Sequence, residues 1–268
     1  MISGNHIISV RDLSCAYGSD TVLKDVSFDV RQGEVFVVIG RSGCGKSTLL
    51  KHMIGLLQPV HGSIVIDGRD IVLARGTQRL DILKGFGVMY QMGALFGSMS
   101  VLRNVGLPLE EYTDLPVEAV ESIARLKLTL VGLERFAHYM PTELSGGMVK
   151  RAAIARAMAL DPAILFLDEP SAGLDPVTSA GLDHMVRSLA ETLGITFVIV
   201  SHELPSILSI ADRVILLDDG VKGIVAEGDP RELNATSTVP EVRRFFDREV
   251  VPLDAHQYQS VSQQEARP

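Results

Sequence analysis

The segment Gly40-Arg41-Ser42-Gly43-Cys44-Gly45-Lys46-Ser47-Thr48 carries the most explicit chemistry of the chain. Its glycines let backbone N–H groups turn toward phosphate oxygens, with Gly40, Ser42, Gly43, Cys44, Gly45 and Thr48 lining the curve. Lys46 reaches the β- and γ-oxygens of a nucleoside triphosphate, and the hydroxyl of Ser47 is placed to ligate Mg²⁺. Cys44 stands at a position expected to tolerate a side chain. Two carboxylates follow far downstream, Asp168 and Glu169; Asp168 closes an apolar run, so it should sit at a sheet edge beside the glycine loop, in water-mediated reach of the metal. His202 closes another apolar run after Ser201 and can approach the γ-phosphate from the same edge. The remaining histidines, His6, His52, His61, His138, His184 and His256, have no such placement and are read as structural or surface residues. A second anion site is suggested by Leu144-Ser145-Gly146-Gly147, small residues opening a helix. It lies far from Lys46 in the chain and in a different subdomain, so one chain cannot easily bring both to one phosphate.

These groups need rigid supports. Val35 to Ile39, Ile164 to Leu167 and Phe197 to Val200 are apolar throughout, as expected of parallel strands covered on both faces. Each ends in one of the motifs, and ligands of open α/β sheets bind at the carboxyl ends of strands. Helix formation right after a buried strand is also the context the glycine loop requires. Upstream, Ile7 to Val10 and Val22 to Val30 mostly alternate apolar with polar residues, which predicts half-exposed antiparallel strands. Ile64-Val65-Ile66-Asp67-Gly68 predicts a short strand running into a turn. From about Met92 to Leu160 the pattern becomes helical. There Asp114 is expected to cap a helix with Val117, Val120, Ile123, Ala124 and Leu128 on its apolar face. Val239 to Val250 predicts a short amphipathic segment, followed by a polar tail ending Gln263 to Pro268. No internal repeat is found.

A chain of 268 residues can bury one substantial core, with room for an inserted subdomain. The longest apolar runs reach about five residues, against roughly 20 for a spanning helix. With 25 Lys and Arg against 33 Asp and Glu, the formal charge of −8 argues against a general nucleic-acid binder. No basic, apolar leader occurs at Met1-Ile2-Ser3-Gly4, so secretion is not expected. Cys15 and Cys44 form no disulfide framework, which points to a reducing cytoplasm.

Together with Gln91 and Ser171-Ala172-Gly173-Leu174-Asp175, the ordered motifs make the chain resemble the nucleotide-binding subunits of ABC transporters over about residues 7 to 230. The resemblance implies an α/β fold: a P-loop NTPase (RecA-like) core with a parallel sheet, an N-terminal antiparallel β-subdomain and an inserted helical subdomain. It implies ATP hydrolysis with Mg²⁺, in which Glu169 polarises the attacking water while Lys46 and His202 serve the γ-phosphate. Tyr17 is implied to stack on adenine, and Gln91 to join Ser47 and Asp168 around the metal while touching the membrane partner. The pair of anion sites is reconciled by a head-to-tail dimer, in which Ser145, Gly146 and Gly147 of one subunit complete the ATP site of the other and Asp175 lies at the boundary. Met148 stands where the family usually has Gln.

Within that family, Met92-Gly93-Ala94-Leu95-Phe96-Gly97-Ser98-Met99-Ser100-Val101, Met148-Val149-Lys150-Arg151 and Val242-Arg243-Arg244-Phe245-Phe246-Asp247 resemble the ATPase subunits of the Mla (maintenance of lipid asymmetry) phospholipid transporters. That likeness implies a dimer beneath two permease copies, docked near Gly93 to Val101, on the cytoplasmic face of a bacterial inner membrane. It also implies an MCE-type substrate-binding protein in the same complex and a small STAS-type protein alongside. The expected organisation is an ATP-binding domain over 1–236, with its helical subdomain at about 92–160, and a C-terminal extension over 237–268. An ATPase subunit of a small-solute importer would share every catalytic residue. A non-transport ABC protein acting on ribosomes or DNA would be expected to carry two cassettes or a long coiled-coil insertion, and neither occurs.

Overall fold

The computed structural model describes residues 6–247. Along the chain, β1 (His6–Tyr17) and β2 (Asp20–Arg31) form a hairpin, β3 (Val35–Gly40) runs into α1 (Lys46–Met53), and β4 (His61–Ile66) turns into β5 (Arg69–Asp70). Next come α2 (Gly76–Lys84), β6 (Phe86–Met89), and the helices α3 (Val101–Tyr112), α4 (Val117–Leu130) and α5 (Gly146–Ala157). The chain continues through β7 (Ile164–Asp168), α6 (Pro176–Leu193), β8 (Thr196–Val200), α7 (Leu204–Ile210), β9 (Arg213–Asp218), β10 (Gly223–Gly228), α8 (Pro230–Thr236) and α9 (Pro240–Phe246).

Two sheets result. The smaller is antiparallel with order β2-β1-β4-β5, and the larger has order β10-β9-β3-β8-β7-β6. In the larger sheet β9, β3, β8, β7 and β6 run parallel, and only the edge strand β10 is antiparallel. The apolar runs divide their side chains between two cores. Val35, Val37, Ile39, Leu165, Leu167, Phe197 and Ile199 pack with helical residues such as Val105, Ala152 and Val186. Phe36, Val38, Phe166, Val198 and Val200 pack with Val10 and Phe28 of the small sheet and with Leu49 and Met53 of α1. Burial on both faces is why these strands show no alternation, whereas the hairpin, solvated on one side, does. Phe28 stacks on Phe36 with ring centroids 5.4 Å apart and holds the small sheet against the large one.

The strands, the hairpin and the helices between β6 and β7 agree with the predicted pattern. One expectation is corrected. Asp114 does not cap α4: the helix begins behind Pro116, no side chain caps it, and Val117 is 75 % exposed. A proline just ahead of the first turn presets the entry angle and needs no N–H, so the start falls two residues beyond Asp114. The buried stripe is Val120, Ala124 and Leu128. In the C-terminal segment, α9 buries Val242 and Phe246 in the same core as the sheet. Residues 248–268, including the end of the expected amphipathic segment, the polar tail and His256, lie outside the described residues.

Candidate nucleotide-binding site

Strand order brings the chemistry together. The glycine loop leaves β3, Asp168 ends β7 with Glu169 next, and His202 follows β8; these three strands are neighbours in the order β3-β8-β7. Two glycines of the loop are required by space. A Cβ on Gly40 would lie 2.5 Å from the carbonyl oxygen of Leu217 and 2.6 Å from the sulfur of Cys44, and Gly45 sits at φ 102° against Val22 and Leu23. Lys46 is buried, and its Nζ donates to the carbonyls of Gly40 (2.8 Å) and Arg41 (2.9 Å). The ammonium thus closes the loop from inside. α1 starts at Gly45 with no side-chain cap, which leaves its first N–H groups to an anion.

On the facing side, the Ser47 hydroxyl donates to Asp168 Oδ1 at 3.5 Å. Burial pushes the Asp168 carboxyl above its ordinary value, and the neighbouring Glu169 adds to this, against the Ser47 hydrogen bond and the charges of Lys51 and Lys46. A carboxylate so placed gains from a nearby cation. Glu169 is 8 % exposed and adopts φ 49°, the left-handed region. One of its oxygens, Oε1, lies 2.8 Å from Nδ1 of His202; the other, Oε2, is buried with no partner. A buried acceptor without a donor is costly and is suited to a bound water or hydroxyl. Two residues read separately in the sequence are therefore one contact.

The structure unites Lys46, Ser47, Asp168, Glu169 and His202 around the glycine loop, and Lys150 links the backbone of Gln91 to that of Glu169. Tyr17 stands half-exposed at the end of β1. Gln91 is exposed just past β6. Ser145 caps α5 by accepting from the Met148 N–H (3.3 Å), and both Ser145 and Gly146 are exposed. A Cβ on Gly147 would lie 2.3 Å from Cγ2 of Thr178, so α5 approaches the start of α6 closely. There Asp175 caps α6 through the N–H groups of Val177 (3.1 Å) and Thr178 (3.0 Å), and takes a further hydrogen bond from the Thr178 hydroxyl. Ser145 to Gly147 and Asp175 thus form a second cluster.

The side chain of Cys44 is enclosed, packed near Gly40, and burial raises its thiol pKa. Among the other histidines, His52 is buried with Nδ1 2.8 Å from the Thr48 carbonyl, a structural role. In the loop after Gln91, Leu95 packs partly against the main core while Phe96 is 50 % exposed. Asn104, fully buried, holds this loop: it accepts from the Phe96 N–H at 2.8 Å and donates to the carbonyls of Phe96, Met99 and Ser100, each at 3.1 Å. Neither Asn104 nor the buried Lys150 was assigned a role from sequence, because a polar residue in an amphipathic helix gives no local sign of facing inward.

The sequence profile described as ABC transporter matches residues 23–172. The intermembrane phospholipid transport system ATP-binding protein MlaF of Escherichia coli K12 is 41 % identical over 242 residues, covering 90 % of this chain and 89 % of that protein. A Mycobacterium leprae protein described as a probable ribonucleotide transport ATP-binding protein is 42 % identical over 92 % of this chain and 70 % of its own length. Among solved structures, an ATP-binding cassette dimer in a post-hydrolysis state with ADP and Pi superimposes with a TM-score of 0.75 at 30 % identity, covering 83 % of this chain and 98 % of that one. The cassette cbiO1 of Clostridium perfringens gives 0.79 at 27 % identity over 97 % and 99 %.

Proposed function

The chain belongs to the ABC transporter family as an ATP-binding ATPase subunit, and on that premise we propose that it powers phospholipid transport between membranes, working as a head-to-tail dimer under a permease. The observation that carries the lipid reading is the extent of the likeness to the phospholipid-transport ATPase, nine-tenths of both chains. In the proposed mechanism Lys46 and the N–H groups of α1 hold the β- and γ-phosphates, and Tyr17 stacks on the base. The oxygen donors near the loop suit a hard cation, and Ser47, Gln91 and Asp168 are the residues that would hold it. A Mg²⁺ held there would supply charge neutralisation at the phosphate oxygens. Glu169, with its unpartnered Oε2, orients the attacking water and draws its proton, while His202 fixes the Glu169 carboxylate and faces the γ-phosphate. Ser145 to Gly147 complete the site of a second subunit, with Asp175 between the two sites.

The exposed ring of Phe96, set on a loop held by Asn104, is the proposed permease contact. No helix of the described residues is long and apolar enough to cross a membrane. Attachment to the cytoplasmic face of the inner membrane therefore runs through the permease in this reading, with an MCE-type and a STAS-type protein as further members of the complex. A second reading, a small-solute transporter, draws on the relative described as a ribonucleotide transporter. Reconstitution of the chain with its permease decides between them. ATP-dependent transfer of labelled phospholipid between vesicles, abolished by Phe96→Glu without loss of ATP binding, is the expected result. ATP-dependent uptake of labelled ribonucleotide with no lipid transfer would reverse it.

A further inference from the structure

α5 carries on its buried side a charge with no task in the mechanism above. Lys150 is 7 % exposed, and its Nζ donates to two backbone carbonyls from distant parts of the chain: that of Gln91, past β6, and that of Glu169, past β7, at 3.2 Å. Burying an ammonium costs free energy that an alkyl side chain of the same length would not incur. The two carbonyls belong to the two residues assigned to the metal and to the attacking water. At Glu169 the hydrogen bond has a further effect. The left-handed φ of 49° is unfavourable for a residue with a Cβ, and it combines a carbonyl directed to α5 with a carboxylate directed to His202. A donor fixed on the helix holds the peptide in that orientation.

The same helix grips the segment after Gln91 a second time. Arg156 donates to the carbonyls of Gly93 (3.0 Å) and Ala94 (2.7 Å), where Ala94 also has positive φ, at 52°. Gly93 is pressed close: a Cβ there would stand 3.0 Å from Val149. α5 is therefore one rigid body joining Ser145 at its N-terminus, the Gln91 segment along its side and the backbone of Glu169.

We propose that Lys150 is a positioning residue for hydrolysis, tying Gln91 and Glu169 to α5 so that the seating of Ser145 on a partner's nucleotide also sets the residue that orients the water. The inference rests on the roles proposed for Glu169 and Gln91. It is tested in the assembled transporter by steady-state kinetics of Lys150→Met, which keeps the stem and removes the donor, and of Lys150→Arg, which keeps donors. Lys150→Met should retain ATP affinity and KM within about twofold while kcat falls about 10- to 100-fold, the effect expected of a misplaced group; Lys150→Arg should recover most of kcat. A kcat within about twofold of the parent for Lys150→Met, counted per folded molecule from its melting curve, overturns the proposal. So does a Lys150→Arg variant as slow as Lys150→Met. If Lys150→Met does not fold, Lys150→Gln replaces it under the same criteria. Glu169→Gln run in parallel separates the two levels: normal turnover there would remove the role of Glu169 itself, whereas a slow Glu169→Gln beside a fast Lys150→Met removes only the inference about Lys150.

Discussion

At α1 the helix starts from Gly45, surrounded by the buried Lys46, by Ser47 and by Asp168; at α5 it starts from an exposed Ser145, followed by Gly146 and Gly147 against Leu174 and Thr178. Both ends open with small residues, as anion-binding helix termini do, although at α5 the Met148 N–H is already taken by Ser145 Oγ. Only the first adds the buried ammonium of Lys46, the paired oxygens of Ser47 and Asp168 and the unpartnered carboxylate oxygen of Glu169. The field of a helix terminus is typically worth about 0.3–1 kcal/mol at an exposed site, too little to hold a nucleotide on its own. In the proposed reading the first end is nearly a whole catalytic site and the second a fragment of one, the asymmetry a head-to-tail dimer would resolve.

The comparison breaks most sharply at Glu169. Glu169→Gln should leave ATP binding intact and lower turnover by a factor on the order of 10² or more, because the buried Oε2 can no longer accept from water. Near-normal steady-state hydrolysis in the assembled transporter would contradict the assignment. Next in size is a mixing experiment on the two helix ends. Lys46→Ala chains combined with Ser145→Arg chains should give mixed dimers holding at most one intact composite site, with activity reduced accordingly. Full-rate hydrolysis that does not change per chain on dilution would mean that one chain suffices.

A smaller effect sharpens the description of the second end. Gly147→Ala sets a methyl against Thr178 and should cost about 1–3 kcal/mol in denaturant unfolding. Thr178→Ser removes the opposing methyl but keeps the hydroxyl that bonds Asp175, so the double variant should regain much of the loss. Additive losses would show that the approach of α5 to α6 does not depend on this contact.

The smallest effect concerns the enclosed core behind the first end. Burial pushes the Cys15 thiol up to about 12 from an ordinary 9.0. An acid with a raised native pKa holds its proton longer folded than unfolded, so stability falls as pH rises through the window from 9.0 toward about 12. By about pH 10 the loss should be about 1 kcal/mol, read as a drop in melting temperature that Cys15→Ala abolishes. An unchanged pH slope in that variant would place the titration elsewhere.

Much of the site is legible before folding, because its parts obey local rules. A strand covered on both faces must be apolar at every position, so Val35 to Ile39, Ile164 to Leu167 and Phe197 to Val200 announce themselves, and each marks the motif at its end. The glycine at Gly40 follows from a backbone approach that excludes any Cβ. Where local rules compete, the reading fails: Asp114 is a good capping residue, but Pro116 sets the start of α4.

Residue types and spacing by themselves determined the nucleotide chemistry, the parallel core and the ends of the strands where that chemistry sits, since each depends on periodicity or on a turn only a few residues long. Tertiary structure alone decided which side chains meet. Ser47 touches Asp168 across 121 residues and Glu169 meets His202 across 33 because β3, β8 and β7 lie side by side, an order that no local pattern records. The same holds for the inward turn of Lys150, the fixing of the Phe96 loop by Asn104 and the enclosure of Cys44. Each is set by what another element places opposite the residue, and a one-dimensional sequence carries that information only through the packing of the whole chain.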